Sequence, residues 1–95
     1  MNKHAIKFLR GLSHDLKPVV MIADKGLTEN VMMEIEVCLE LHELIKIRIR
    51  MDKETRIKFI AEILEKTGAQ KIHAIGQTLT LYLENPKDPQ FDLSE

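Results

Sequence analysis

The sequence is poor in the residues that mark most catalytic and secreted proteins. It has no tryptophan, one tyrosine, three phenylalanines and a single cysteine in 95 residues. One cysteine, Cys38, excludes an internal disulfide framework and suits a reducing compartment, so the expected location is cytoplasmic. So few aromatic residues exclude an aromatic platform for stacking a run of bases, and they leave a core of Ile, Leu, Val and Met. No apolar run approaches the length of a membrane span and no signal-peptide core stands near Met1, so no membrane partner is expected. An excess of one charge is missing too. Fourteen Lys and Arg stand against 15 Asp and Glu, a formal net charge of −1. That balance neither supports nor excludes a nucleic-acid partner; the position of the charges decides.

Chemical motifs are equally scarce. There is no phosphate-binding P-loop, no GxSxG elbow, no dinucleotide fingerprint and no repeat. The four histidines, His4, His14, His42 and His73, have no metal-ligand spacing, and one cysteine cannot complete a site for them. Carboxylates recur only as helix surface charge. No catalytic residue, metal or cofactor is expected.

At 44% hydrophobic and 31% charged, the chain reads as one small globular domain, residues 1–84. An acidic, loosely ordered tail, 85–95, with Pro86 and Pro89, is expected to follow. The organising stretch is 18–31. Pro18 to Ala23 read as a short buried strand, β-branched at Val19, Val20 and Ile22, with proline only at its first position. The chain then turns through Asp24-Lys25-Gly26 into a helix that Thr28 can cap. A glycine turn entering a helix N-terminus can aim several free amides at one anion, and Lys25 adds a cation beside it. The same unit also occurs in every α/β fold without any such role.

Before this stretch, residues 3–13 show helical spacing at Ala5, Phe8, Leu9 and Leu12, with Lys3, Lys7 and Arg10 on the other side. After it, residues 28–43 form an acidic helix whose stripe is Val31, Ile35, Cys38, Leu39 and His42. Residues 44–50 alternate as a strand: Ile45, Ile47 and Ile49 face one way and Lys46, Arg48 and Arg50 the other. Those cations stand about 7 Å apart, a spacing comparable to that of phosphates along a nucleic-acid strand. A half-exposed edge strand uses charge similarly for solubility. Asp52 caps a third helix, Lys53 to Thr67, with Ile57, Ile60, Ala61 and Leu64 inward and Gly68 as its stop. Residues 70–84 read as a hairpin turning at Gly76-Gln77, with Leu79, Leu81 and Leu83 on one face and Tyr82 on the polar-facing side, open to a base.

In this order, several short stretches carry a resemblance that none carries singly. They are Leu9-Arg10-Gly11-Leu12-Ser13-His14, Leu16-Lys17-Pro18-Val19-Val20, Gly26-Leu27-Thr28-Glu29, His42-Glu43-Leu44-Ile45-Lys46, Thr67-Gly68-Ala69, and Ile75-Gly76 followed by Leu79-Leu81-Tyr82. Over residues 3–84 the chain resembles the CRM domain (chloroplast RNA splicing and ribosome maturation) in its free-standing bacterial, YhbY-like form. The resemblance implies an α/β two-layer sandwich: an N-terminal helix, then β-α-β-α-β-β, with a mixed four-stranded sheet ordered 1-2-4-3, as in the C-terminal domain of translation initiation factor three. It implies RNA as partner, with bacterial members associated with large-subunit ribosomal precursors. The family's GxxG loop, likened to that of KH domains, falls on Ala23-Asp24-Lys25-Gly26. Here Ala23 replaces the first glycine and Asp24 adds a negative charge.

The resulting expectation is a non-catalytic RNA-binding protein that contacts the RNA backbone. Lys25, Gly26 and Thr28 would hold a phosphate, and Lys46, Arg48, Arg50, Lys17, Lys7 and Arg10 would extend the contact. Backbone and shape recognition, rather than sequence reading, follows from the lack of base-reading groups. The alternative is a protein-interaction module whose acidic second helix docks on a ribosomal protein. An enzyme such as a phosphatase would need an arginine and a polar partner converging on a phosphate loop, and no such pair is visible.

Overall fold

The computed structural model describes residues 1–93. Seven elements follow in order: α1 (Lys3–Ser13), β1 (Pro18–Ile22), α2 (Glu29–His42), β2 (Leu44–Ile49), α3 (Lys53–Thr67), β3 (Gln70–Ile75) and β4 (Thr78–Tyr82). Each helix starts where a side chain satisfies a first-turn N–H. Asn2 accepts from Ala5, Thr28 from Val31 and Asp52 from Thr55. That bond, with the nearby Arg56 and Lys58 charges, holds the exposed Asp52 carboxyl below its ordinary pKa. Gly68 ends α3 at φ +72°, a conformation glycine adopts without the Cβ clash.

The four strands form one sheet in the order β1-β2-β4-β3, the order the resemblance implied. β1 runs parallel to β2, and β2-β4-β3 are antiparallel. Strand alternation then gives the sheet two different faces. Val20, Ile22, Ile45, Ile47, Ile49, Leu79 and Leu81 point to one, where Met32, Ile35 and Leu39 of α2 and Ile63 of α3 close the main core. Ile22, Ile47 and Ile63 are fully buried, each contributing roughly 1.5–3 kcal/mol. On the reverse face a smaller cluster joins Leu9 of α1 to Leu44, Ile72 and Tyr82. The fold is therefore a sheet-and-helix sandwich with α1 laid across part of the sheet's back.

Several expected inward faces shift. In α3, Ile57 is exposed, while Ile63 is central and Phe59, Ile60 and Leu64 pack partly against the core. That helix carries apolar residues around half its circumference, so two overlapping stripes compete and the one fitting the sheet prevails. In α2, Met32 is buried and His42 is exposed. In β3, where Ile72 and Ala74 alternate in sequence with Lys71 and His73, a register shift between Lys71 and His73 breaks simple alternation, so Ile72 enters the α1 cluster and Ala74 lies exposed.

Two larger corrections concern the C-terminal end. Tyr82 is buried, not open to a base, because α1 covers that end of the sheet and Phe91 returns edge-on to its ring, centroids 6.2 Å apart. The segment after β4 has no helix or strand, yet residues 85–93 fold back on the domain, with Phe91 and Leu93 packed against the α1 cluster. Residues 94 and 95 of the expected loose tail lie outside the described residues. The returning segment is fastened by Glu43, a fully buried carboxylate whose two oxygens accept from the backbone N–H groups of Asn85 and Gln90. Glu43 holds φ +62°, the only positive φ among the described non-glycine residues.

Candidate nucleic-acid interface

β2 builds the site by alternation. Its odd-numbered isoleucines enter the main core, which sends Leu44, Lys46 and Arg48 to the reverse face. α1 covers only the Leu44 end. Lys46 is half-buried, and Arg48 and Arg50 are exposed. None of the three pairs with a carboxylate among the described residues. Arg50 lies just past β2, and its backbone N–H donates to the Ile22 carbonyl at 2.8 Å. That bond sets Arg50 beside the chain entering the 23–26 turn. Arg48 and Arg50 are open to solvent, and the chain at Arg50 lies beside that corner.

The neighbours of this row are not those expected. β1 reads as a strand buried on both faces, yet Val19 is 45% and Met21 51% exposed. Met21 stands opposite Arg48 in register, on the uncovered half of the sheet. On the other side, Lys46 faces Thr80 and Arg48 faces Thr78. The uncovered surface thus mixes cations and aliphatic side chains with the half-buried Thr78, while Thr80 is buried. A continuous, β-branched apolar run signalled the strand, but nothing in sequence revealed that one of its faces would lack a covering helix.

The 23–26 turn departs further from expectation. The Gly26 N–H donates to the Ala23 carbonyl at 2.7 Å, and the Thr28 N–H donates to the Gly26 carbonyl at 3.1 Å. The Thr28 hydroxyl oxygen accepts from Val31 as the α2 cap. These amides close the turn instead of converging on an outside point, and Asp24 and Glu29 add negative charge on either side. Gly26 holds φ +73°, and a Cβ there would stand 3.3 Å from the Phe59 ring. Gly26 and Thr28 therefore shape the corner, and exposed Lys25 is the group it offers outward.

Lys7 and Arg10 are exposed on α1, on the same side of the sheet as Lys46 and Arg48. Lys17 is exposed before β1 and shares a groove with Lys46. Arg56 of α3 donates to the Met51 carbonyl at 2.7 Å. Burial, aided by Glu34, pushes the Cys38 thiol up, which disfavours a reactive thiolate. Among the described residues, no group of three or more His, Cys, Asp or Glu could hold a metal ion. No helix among them is long and apolar enough to cross a membrane.

Comparison with known proteins adds a second line. The family model for the CRS1 / YhbY (CRM) domain matches residues 1–82. A Haemophilus influenzae protein named RNA-binding protein is 47% identical over 77 residues, covering 80% of this chain and 78% of that protein. The Bacillus subtilis protein YqeI, named a probable RNA-binding protein, is 33% identical over 88 residues, 92% of each chain. In fold, the chain is similar to the solution structure of the hypothetical protein SAV1595 from Staphylococcus aureus, with a TM-score of 0.82, 24% identity and 98% of each chain covered.

Proposed function

The chain belongs to the CRS1 / YhbY (CRM) domain family, and from that premise we propose that it binds RNA along the uncovered half of its sheet, without catalysis. The observation that carries the reading is the row of half-buried Lys46 and exposed Arg48 and Arg50, without a carboxylate partner among the described residues and tied to the chain entering the 23–26 corner at Arg50. Cations held in register on a rigid strand contact phosphates at little ordering cost, and affinity then falls with salt as counterions are released. Lys25 and Lys17 extend the row at its two ends, with Lys7 and Arg10 above it. The names of the relatives support RNA as the ligand. Large-subunit ribosomal precursors in the cytoplasm are the target that the family resemblance implies.

The test is a triple variant, Lys46→Gln, Arg48→Gln and Arg50→Gln, titrated with RNA at several salt concentrations. Affinity is expected to fall and the slope of log K against log salt to flatten by about 2, since each contact to single-stranded RNA contributes about 0.7 to it. An unchanged slope removes this surface from the reading.

A second reading has its own observation. α2 contains four glutamates and no Lys or Arg. Its outward ridge, Met33, Val37 and Leu41 at i, i+4 and i+8, is exposed. An apolar ridge edged by Glu29, Glu34, Glu36 and Glu40 suits a basic protein segment, such as one from a ribosomal protein, on the side of the sheet away from the cations.

A further inference from the structure

The surface that carries the cations also contains a concavity that backbone contact alone does not explain. Between the C-terminal half of α1, the start of β1 and the returning C-terminal segment lies an open groove of about 510 Å³. Leu12, Leu16, Val19 and Leu44 form much of its wall, with Phe91 closing one side. Leu12 and Val19 stay substantially exposed across it, at 38% and 45%. Lys17, Lys46 and His42 also line it, and among the described residues no carboxylate does. Lys46 belongs at once to the groove and to the cation row that leads to Arg48 and Arg50.

We infer that this groove receives one unstacked base of an RNA strand whose backbone follows the cation row. The inference rests on the RNA reading above and adds the ligand's form, a single strand or an unpaired nucleotide. The occupant must be apolar and flat where it meets Leu12, Val19 and Phe91, and anionic where it meets Lys17 and Lys46. A nucleotide joins those two properties in one residue. The groove falls in the size range of small-molecule sites, large enough for a base and its ribose. In duplex RNA the bases are stacked and paired, so only an unpaired residue can turn its base into the wall. An apolar wall gives no hydrogen-bond code, so the groove selects for an unpaired base and not for its identity. Phe91 adds an aromatic ring to the wall, and it is delivered by the segment Glu43 fastens.

The experiment compares a uridine dodecamer with a blunt RNA duplex of the same length on the full chain. The native protein is expected to bind the single strand about fivefold or more tightly, the low end of what stacking one base contributes. Leu12→Trp and Val19→Trp, each at a substantially exposed position, fill the groove and should bring the two affinities within about twofold. If the native protein binds both RNAs equally, or both tryptophan variants keep the preference, the groove is not a base site and the cation surface stands alone. If the native protein binds neither RNA, the RNA reading beneath it fails instead. The native comparison needs no variant, so it decides even if a substitution disturbs folding.

Discussion

Gly26 shows how one residue can matter for a reason other than the one its motif suggests. Its position in a GxxG-like loop points to phosphate contact, but its own N–H is engaged with Ala23 and its α-hydrogen faces Phe59. Its value lies in a left-handed φ and in the space above an aromatic ring. Gly26→Ala is therefore expected to destabilise the fold by about 1–2 kcal/mol from the backbone alone, read as a lower urea midpoint. An unchanged midpoint would mean that the corner relaxes freely and is not braced by α3. Glu43 is the opposite case: a residue that composition presents as one more surface acid and the fold makes a fully buried fastener. Tyr82 beside it has its pKa raised, first by burial and then by the charges of Glu43 and Glu84. With one tyrosine and no tryptophan in the chain, its phenolate absorbance can be followed directly. Glu43→Gln should shift that titration to lower pH, and an unmoved curve would argue that the Glu43 charge does not reach the ring.

At the scale of elements, the same residue determines whether the C-terminal segment belongs to the domain. Two amide donors on one buried carboxylate are charge-assisted bonds, and such bonds contribute about 1.5–3 kcal/mol each. Glu43→Gln keeps the shape but removes the charge and turns one acceptor into a donor facing an N–H. Earlier proteolytic cleavage after residue 84, together with lower global stability, is the expected result. Equal protease resistance would show that Phe91 and Leu93 hold the segment by packing alone. The helices and strands themselves were legible: caps at Thr28 and Asp52, the Gly68 stop and the Gly76-Gln77 turn all fall where local chemistry puts them. What was not legible was which side of an element faces inward when two stripes compete. α3 carries six apolar residues between Ile57 and Leu64, and only the sheet's shape selects Ile63 over Ile57. The candidate cations behaved differently. Lys46 and Arg48 were legible because a strand's period leaves no choice of face once its isoleucines are buried.

For the whole molecule, the sheet separates two unlike surfaces. One side presents Lys46, Arg48 and Arg50 around a partly covered sheet; the other presents the acidic, apolar-ridged back of α2. A buried core stands between them, so the two should act independently. Met33→Ser with Leu41→Ser is expected to leave RNA affinity and its salt slope unchanged, while weakening any association with a basic protein that survives nuclease treatment. A loss of RNA affinity in that double variant would place RNA on the wrong side of the sheet for the proposed function.

The sequence by itself determined the elements, their order and the face on which the strand cations stand, because helix and strand periods, caps and turn residues act within a few positions of one another. The resemblance, carried by short motifs in a fixed order, supplied the sheet order that local rules do not reach. Only the tertiary structure decided that α1 would cover one end of the sheet and leave the other open, that Tyr82 would be enclosed, and that Glu43 would fasten a segment more than forty residues away. Each of these depends on contacts between residues distant in the chain, and the energy of such a contact comes from the shape of both partners, which no local pattern contains.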